Sequence, residues 1–423
     1  MKIYNKYDCK SVNWLIALLC TIACFVACSS DSLAEVSDDR EEIKLDIPDR
    51  FMVKSGHEVE LELSGSIDNA SFEWILGDKV ISKEYKVRFT PQGVGEKILI
   101  VNVKEESGNT KVFRKTIFVT KNQKYQVVGY YPSYRTNYTC KKWDKLTHVI
   151  FSAARVNKDG SLVDAEAKKL VLKEVQTAHE NGVPALLSIL HLSGQKELFG
   201  KAILNKKSRD KLVSSCLKLV VDLNLDGLDV DFEDWDSTTA LAKDKVAALT
   251  IFCKDLRAGL AKSRLLTAAL NPFIIQRGLY SSEMIDCLDY VNVMCYDYYK
   301  EGGNHAPYNK YVEWIESSMQ QYPKNKILPG LPFYGVYYPN GSVSEVEQIM
   351  YKTVLARYPG AEDKNEIEGE HIYYNGKGMI KQKCDYVLDN KVGGVMIWEI
   401  TQDTDDANTS LLNVVDSTIK STQ

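Results

Sequence analysis

Between Tyr125 and the C-terminus, apolar β-rich runs recur at 127–131, 146–153, 184–190, 225–232, 265–270, 290–296, 327–334 and 393–398. Helical patterns lie between them, for example Ala165–Glu180, Arg209–Asp222, Thr239–Ala261 and Glu345–Arg357. Runs this apolar are buried on both faces, and their alternation with helices calls for parallel pairing. Eight such units over about 295 residues predict an α/β chain closed into a (β/α)8 TIM barrel, a fold that takes about 250 residues alone. A doubly wound open sheet is the rival, but it advertises a glycine-rich first turn, and Gly129-Tyr130-Tyr131-Pro132 is unlike G-x-G-x-x-G. With 423 residues in the chain and the barrel assigned to 125–420, a second domain has room to precede it.

Residues 43–121 read as β structure throughout. Glu58–Leu63 alternates with period two, Ser71–Leu76 runs into a Gly77-Asp78 turn signal, and Tyr85–Phe89, Lys97–Val103 and Val112–Val119 follow. This spacing predicts a small all-β, Ig-like sandwich. Phe72-Glu73-Trp74-Ile75-Leu76-Gly77-Asp78 resembles the Trp-x-Phe-Gly-Asp signature of PKD-type modules. A spacer is the expected role, with Trp74 a core residue in preference to a sugar platform.

The first 28 residues have the pattern of a signal peptide. Lys2, Lys6 and Lys10 precede an apolar run from Trp14 to Ala27, which spans about 21 Å as a helix, short of the roughly 30 Å bilayer core. Phe25-Val26-Ala27-Cys28 resembles a bacterial lipobox, with Phe25 departing from the usual aliphatic residue and Cys24 as an alternative site. Cys28 is therefore the expected lipidation site. The polar, acidic residues 29–42 would be a tether, placing the protein in the cell envelope, anchored to a membrane and facing outside the cytoplasm. A net charge of −4 offers no field for nucleic acid. The six cysteines beyond the leader show no C-x-x-C spacing, so no metal or cofactor is expected, and the protein is read as a monomer.

The chemistry concentrates on the fourth run. In Leu225-Asp226-Gly227-Leu228-Asp229-Val230-Asp231-Phe232-Glu233, the residues Leu228, Val230 and Phe232 would face the outer helices. Asp229, Asp231 and Glu233 then share the inner face, about 6.6–7 Å apart along the strand. Three carboxylates inside a barrel are costly unless they share protons or bind cations. Repulsion and partial burial should raise at least one pKa and keep Glu233 protonated, as a general acid requires. Glu233 also lies nearest the C-terminal mouth, where barrel chemistry occurs. Asp226 is out of phase with the other three and is read as structural.

The run Asp226–Glu233 matches the D-G-x-D-x-D-x-E signature and resembles that of glycoside hydrolase family 18, the chitinases and endo-β-N-acetylglucosaminidases. Val128-Gly129-Tyr130-Tyr131, Leu187-Ser188-Ile189, Met294-Cys295-Tyr296-Asp297, Gly330–Gly335 and Gly393–Trp398 are similar to the family's first, third, sixth, seventh and eighth strands. The resemblance implies cleavage of β-1,4-linked N-acetylglucosamine, in chitin or chitooligosaccharides, by retaining, substrate-assisted catalysis. Glu233 would be the acid, Asp231 the residue orienting the 2-acetamido group, Asp229 its proton-sharing neighbour, and Tyr296 a hydrogen-bond donor to the acetamido oxygen. Tyr130, Ser188, Met294, Asp297, Tyr334 and Trp398 would bind the sugar, Trp398 as its floor. The chitobiose core of N-glycans is an alternative substrate. An inactive sugar-binding lectin is an alternative function, against which retention of Glu233 speaks.

Two departures from the resemblance reshape the cleft. Ser188-Ile189-Leu190-His191 stands where S-x-G-G is usual, and Asp234, not an aromatic residue, follows Glu233, with Trp235 one further on. Between Gly335 and Val392 only 58 residues are available for the normal helices and His371–Tyr374, so little insertion and a shallow, open cleft are expected.

Overall fold

A computed structural model describes residues 41–235, 239–299 and 303–421, of which those from Ile43 onward belong to one compact unit. The leader, Cys28 and the tether through residue 40 lie outside the described residues.

Seven strands precede the barrel: β1 (Arg50–Lys54), β2 (Val59–Glu62), β3 (Ser71–Leu76), β4 (Lys79–Ser82), β5 (Lys86–Phe89), β6 (Gly95–Lys104) and β7 (Thr110–Thr120). Five form a sheet in the order β1-β7-β6-β3-β4, while β2 and β5 pair separately. Inward residues of both sheets (Val59, Leu61, Trp74, Val87, Leu99, Val101, Ile117, Val119) make one core. Trp74 is fully buried there, its indole N–H donating to the Glu84 carbonyl at 2.8 Å, so it presents no face to a sugar. The strands β1 and β4 escaped the sequence reading. β1 is too short to show a period and is held by parallel pairing with β7, a non-local interaction.

The barrel comprises β8 (Gln126–Pro132), β9 (His148–Val156), β11 (Ala185–His191), β12 (Gly227–Asp231), β13 (Leu265–Leu270), β14 (Tyr290–Val293), β15 (Ile327–Pro332) and β20 (Gly394–Trp398), with β10 (Leu162–Val163) as an antiparallel addition to β9. All eight staves are parallel, and β20 closes on β8. Leu228, Val230 and Phe232 join the core between strands and helices, as their alternation requires. The barrel's interior carries its own cluster, with Tyr130, Ile150, Leu186, Tyr296, Leu328, Tyr334 and Met396. Gly330 belongs to this interior: a Cβ there would stand 2.6 Å from Tyr296 Cε1 and 2.8 Å from Met396 Cε, so only hydrogen fits.

The connection from β15 to β20 departs from the sequence expectation. It holds a four-stranded antiparallel sheet of β16 (Tyr334–Tyr337), β17 (Glu347–Met350), β18 (Glu366–Ile367) and β19 (Ile372–Tyr373), in the order β17-β16-β19-β18. The helix expected over Glu345–Arg357 is confined to Tyr351–Arg357. Residues 347–350 are strand because each pairs with a residue of β16, from Tyr334↔Met350 to Tyr337↔Glu347. Tertiary pairing here overrides a helical pattern. The connection thus holds a small antiparallel sheet as well as helices, where the sequence reading left little room for an insertion.

Sandwich and barrel meet through buried charge. Arg50 on β1 forms an ion pair with Asp226, at the foot of β12. Asp226 also accepts from the Ala185 amide at 2.9 Å and lies 2.7 Å from His179 Nε2. Arg50 reaches Glu96 at 2.9 Å and lies over the Phe118 ring at 4.6 Å.

Candidate active site

The alternation of β12 delivers its carboxylates as the pattern requires. Asp229 has no solvent exposure and is wrapped in donors. Thr267 Oγ1 on β13 donates to Oδ1 at 2.6 Å, Asn292 Nδ2 on β14 donates to Oδ1 at 3.1 Å, and the Tyr130 hydroxyl on β8 donates to Oδ2 at 3.0 Å. Burial raises the Asp229 pKa, and these hydrogen bonds oppose the rise. Ser188 lies level with Asp229 on the adjoining strand, and its hydroxyl is a further group favouring the Asp229 carboxylate.

Asp231 is the deeper anomaly. It is 4% exposed, and its buried Oδ1 has no hydrogen-bond partner. Burial, then the Glu233 and Asp229 charges, pushes its carboxyl well above the usual range. Glu233 itself accepts a hydrogen bond from Lys196 Nζ at 3.1 Å. Lys196, 37 positions away, is invisible in the motif.

The remaining predicted residues gather at the same mouth. Burial drives the Tyr130, Tyr296 and Tyr334 phenols well above their ordinary pKa, so they are donors. Among the described residues the Tyr296 hydroxyl meets only the Met396 thioether, at 3.9 Å. Tyr334 donates to Asp297 Oδ1 at 2.5 Å. Burial works to raise the Asp297 carboxyl, yet His305, Tyr299 and Tyr334 outweigh it and hold the group below the carboxylate range. His305 is fully buried, with Nδ1 3.4 Å from Asp297 Oδ1 and Nε2 3.2 Å from the Tyr334 carbonyl. Trp398 is partly exposed and packs against Tyr130 with ring centroids 5.6 Å apart, and Met294 is partly exposed beside Tyr296.

A cavity of about 200 Å³ runs along Lys196, Glu233, Trp235, Asn271, Pro272, Phe273, Met294, Tyr296 and Asp297. Asp234 turns away from it to a buried ion pair with Lys245 at 2.8 Å, and Trp235 takes the cleft wall, packed edge-on to Phe232 and Tyr280. The departure after Glu233 is therefore local: a structural ion pair occupies the intervening position. His191 lies at the mouth, 7% exposed, its carbonyl held by Arg155 Nη1 at 2.9 Å. A larger cleft of about 880 Å³, between Asn137–Lys141, Lys352–Glu362 and Asp403–Thr409, contains none of the predicted residues. Thr267, Asn292, Lys196 and His305 were missed because their signal is spatial: each is an ordinary residue in its own segment.

Comparison with known proteins places this geometry. The sequence model of the Glycosyl hydrolases family 18 matches residues 126–403. A chitinase structure from Bacteroides thetaiotaomicron is 31% identical, with TM-score 0.62, covering 70% of this chain and 96% of that one. The family 18 chitinase ChiB from the chitin utilization locus of Flavobacterium johnsoniae is 28% identical, with TM-score 0.60, covering 71% and 96%. A chitinase-like effector of Moniliophthora roreri is 25% identical over 275 residues, which are 57% of this chain and 66% of that protein, just under two thirds of its length. A family match over well more than half of the chain, on a barrel carrying the acidic strand at its mouth, makes the chain a member of glycosyl hydrolase family 18.

Proposed function

We propose that the barrel hydrolyses β-1,4-linked N-acetylglucosamine in chitin or its oligomers, with retention, using the substrate's own acetamido group as nucleophile. The observation that carries this reading is Asp231: a buried carboxyl with raised pKa and an unpartnered Oδ1, between Asp229 and Glu233 on one strand face. Such a group can hydrogen-bond an acetamido N–H and then, once ionised, stabilise the cationic ring that forms when the acetamido oxygen attacks C1. Tyr296 supplies the donor to that oxygen. Asp297 and Tyr334 bracket the sugar above Trp398. Glu233 delivers a proton to the glycosidic oxygen and later activates water. No separate protein nucleophile is required, which sets this chemistry apart from the two-carboxylate pattern.

Proton NMR of the first product from chitotetraose tests the reading. Initial release of the β anomer is expected, together with no cleavage where glucose replaces N-acetylglucosamine at the scissile sugar. Initial α anomer would overturn the mechanism.

The leader motif supports a companion proposal, that Cys28 carries lipid and anchors the protein to the outward side of a bacterial envelope membrane. The Ig- or PKD-like character of the sandwich and a monomeric state belong to the same proposal.

A further inference from the structure

His305 is fully buried, yet both of its ring nitrogens meet residues of the candidate site. Nε2 lies 3.2 Å from the Tyr334 carbonyl, which can only accept, so Nε2 carries a hydrogen. Nδ1 faces Asp297. A neutral ring accepts there from the Asp297 backbone N–H at 3.3 Å, and a protonated ring donates to Oδ1 at 3.4 Å. In either state Nδ1 is tied to Asp297. That residue stands at φ +63°, a left-handed conformation whose cost the surroundings must offset. Its side chain is 40% exposed and lines the cavity, so it has to be held from its buried side.

The backbone on both flanks of His305 is fixed in turn. Asn304 Nδ2 donates to the Tyr374 carbonyl at 2.7 Å, and its Oδ1 accepts from the Ala306 N–H at 2.9 Å and from Asn375 Nδ2 at 3.1 Å. The Ala306 carbonyl accepts from Lys383 Nζ at 2.7 Å, and the same ammonium donates to Asn375 Oδ1 at 2.6 Å. The His305 carbonyl accepts from the Tyr298 N–H at 2.8 Å, which closes the loop beside Asp297. Lys383 comes from the helix Lys377–Asp389 and is fully buried. An ammonium is costly to bury, and packing alone would not call for one. Here it secures the main chain next to His305.

We propose that His305 is a positioning residue for hydrolysis, fixed by Lys383, Asn375 and Asn304 and acting through Asp297. The inference rests on the reading above, in which Asp297 is one of the groups that bracket the sugar. Asp297 must then present a carboxylate at one place in the cleft. The contact of Nδ1 with the amide sets its backbone, and the contact of Nδ1 with Oδ1, beside the Tyr334 hydroxyl on the same oxygen, sets the carboxylate. Burial works against ionisation of Asp297, and His305 leads the groups that outweigh it, followed by Tyr299 and Tyr334. The adjoining Tyr296 completes the titratable groups around it.

The test is a double-mutant cycle in the full protein, with chitotetraose as substrate and melting temperatures read alongside. His305→Gln keeps a donor for the Tyr334 carbonyl and loses the contacts of Nδ1. It should lower kcat/KM by about 10–10²-fold, the scale of a misplaced site group. The acid limb of the kcat/KM profile should move to higher pH, because Asp297 loses the group that most favours its charged form. In an Asp297→Asn background the same change should cost less than about twofold, its route to the sugar being gone. Lys383→Met should show the same dependence on Asp297 with a loss of about three- to tenfold. A loss from His305→Gln that is equally large in the Asp297→Asn background, or an acid limb that stays in place, overturns the inference and makes His305 a packing residue. If His305→Gln does not fold, the cycle with Lys383→Met decides by the same criterion. If Asp297→Asn leaves too little turnover to measure, the acid limb of His305→Gln or Lys383→Met decides. Wild type that leaves chitotetraose intact overturns the hydrolase reading instead.

Discussion

Arg50 of the N-terminal sandwich neutralises Asp226, the first aspartate of the acidic strand at the barrel's core. The carboxylate is unexposed and the guanidinium side chain 11% exposed, so neither can turn to water if the other is lost. Burial opposes ionisation of Asp226, but hydrogen bonding to His179 and the Arg50 charge win, and the group is held below its usual pKa. Removing one partner of a buried pair costs about 3–5 kcal/mol. Arg50→Met should destabilise the protein to roughly that extent in urea titrations, and the double change Arg50→Met, Asp226→Asn should recover much of the loss. Wild-type stability in Arg50→Met would mean that the sandwich is only a spacer, as the sequence suggested.

Glu233→Gln keeps shape and removes the proton. Turnover of chitotetraose should fall by at least about 10²-fold while binding, read by calorimetry, persists. Activity within a few-fold of wild type would place the acid elsewhere.

Tyr296→Phe separates catalysis from folding. Among the described residues the hydroxyl touches only a thioether, at 3.9 Å, so its loss should hardly move the melting temperature. It should lower kcat by about 10–10³-fold if the phenol stabilises the acetamido oxygen during attack. A large drop in melting temperature with unchanged kcat would make it a packing residue.

Lys383 gives a pH signature independent of the substrate. It is fully buried, donating to the Ala306 carbonyl at 2.7 Å and Asn375 Oδ1 at 2.6 Å, and burial lowers its pKa to about 7. Unfolded lysine titrates near 10.4, so between about pH 7 and 10.4 the unfolded chain binds more protons, and stability from this group rises with pH. Below about pH 7 the penalty of burying the charge is complete. The stability difference between wild type and Lys383→Met should therefore move in favour of wild type as pH rises through that window. A pH-independent difference would show that Lys383 titrates normally.

Cys28→Ser should release the protein from the membrane fraction. Unchanged fractionation, with Cys24 intact, would overturn the assignment to Cys28.

Much of the fold was legible because burial writes a simple pattern. Leu228, Val230 and Phe232 alternate with Asp229, Asp231 and Glu233 only if one face meets helices and the other a barrel interior, and the structure places them so. What stayed hidden depends on distance in space. Thr267 and Asn292 satisfy Asp229 from neighbouring strands, yet in sequence they are unremarkable polar residues inside apolar runs. Arg50 was hidden for the same reason, 176 positions from Asp226. Residues 347–350 misled because their strand character comes from pairing with Tyr334–Tyr337 and not from their own periodicity.

Gly330 has a consequence for how such a site can diversify. With no room for even a methyl group beneath the Tyr296 ring and Met396, the depth of the slot under Tyr296 is fixed by main chain. No single replacement at that floor can be accommodated without moving Tyr296. The rim is different: Lys196 and Phe273 are exposed side chains on loops and short helices, free to vary one at a time. Changes at the rim therefore leave the depth of the slot under Tyr296 untouched.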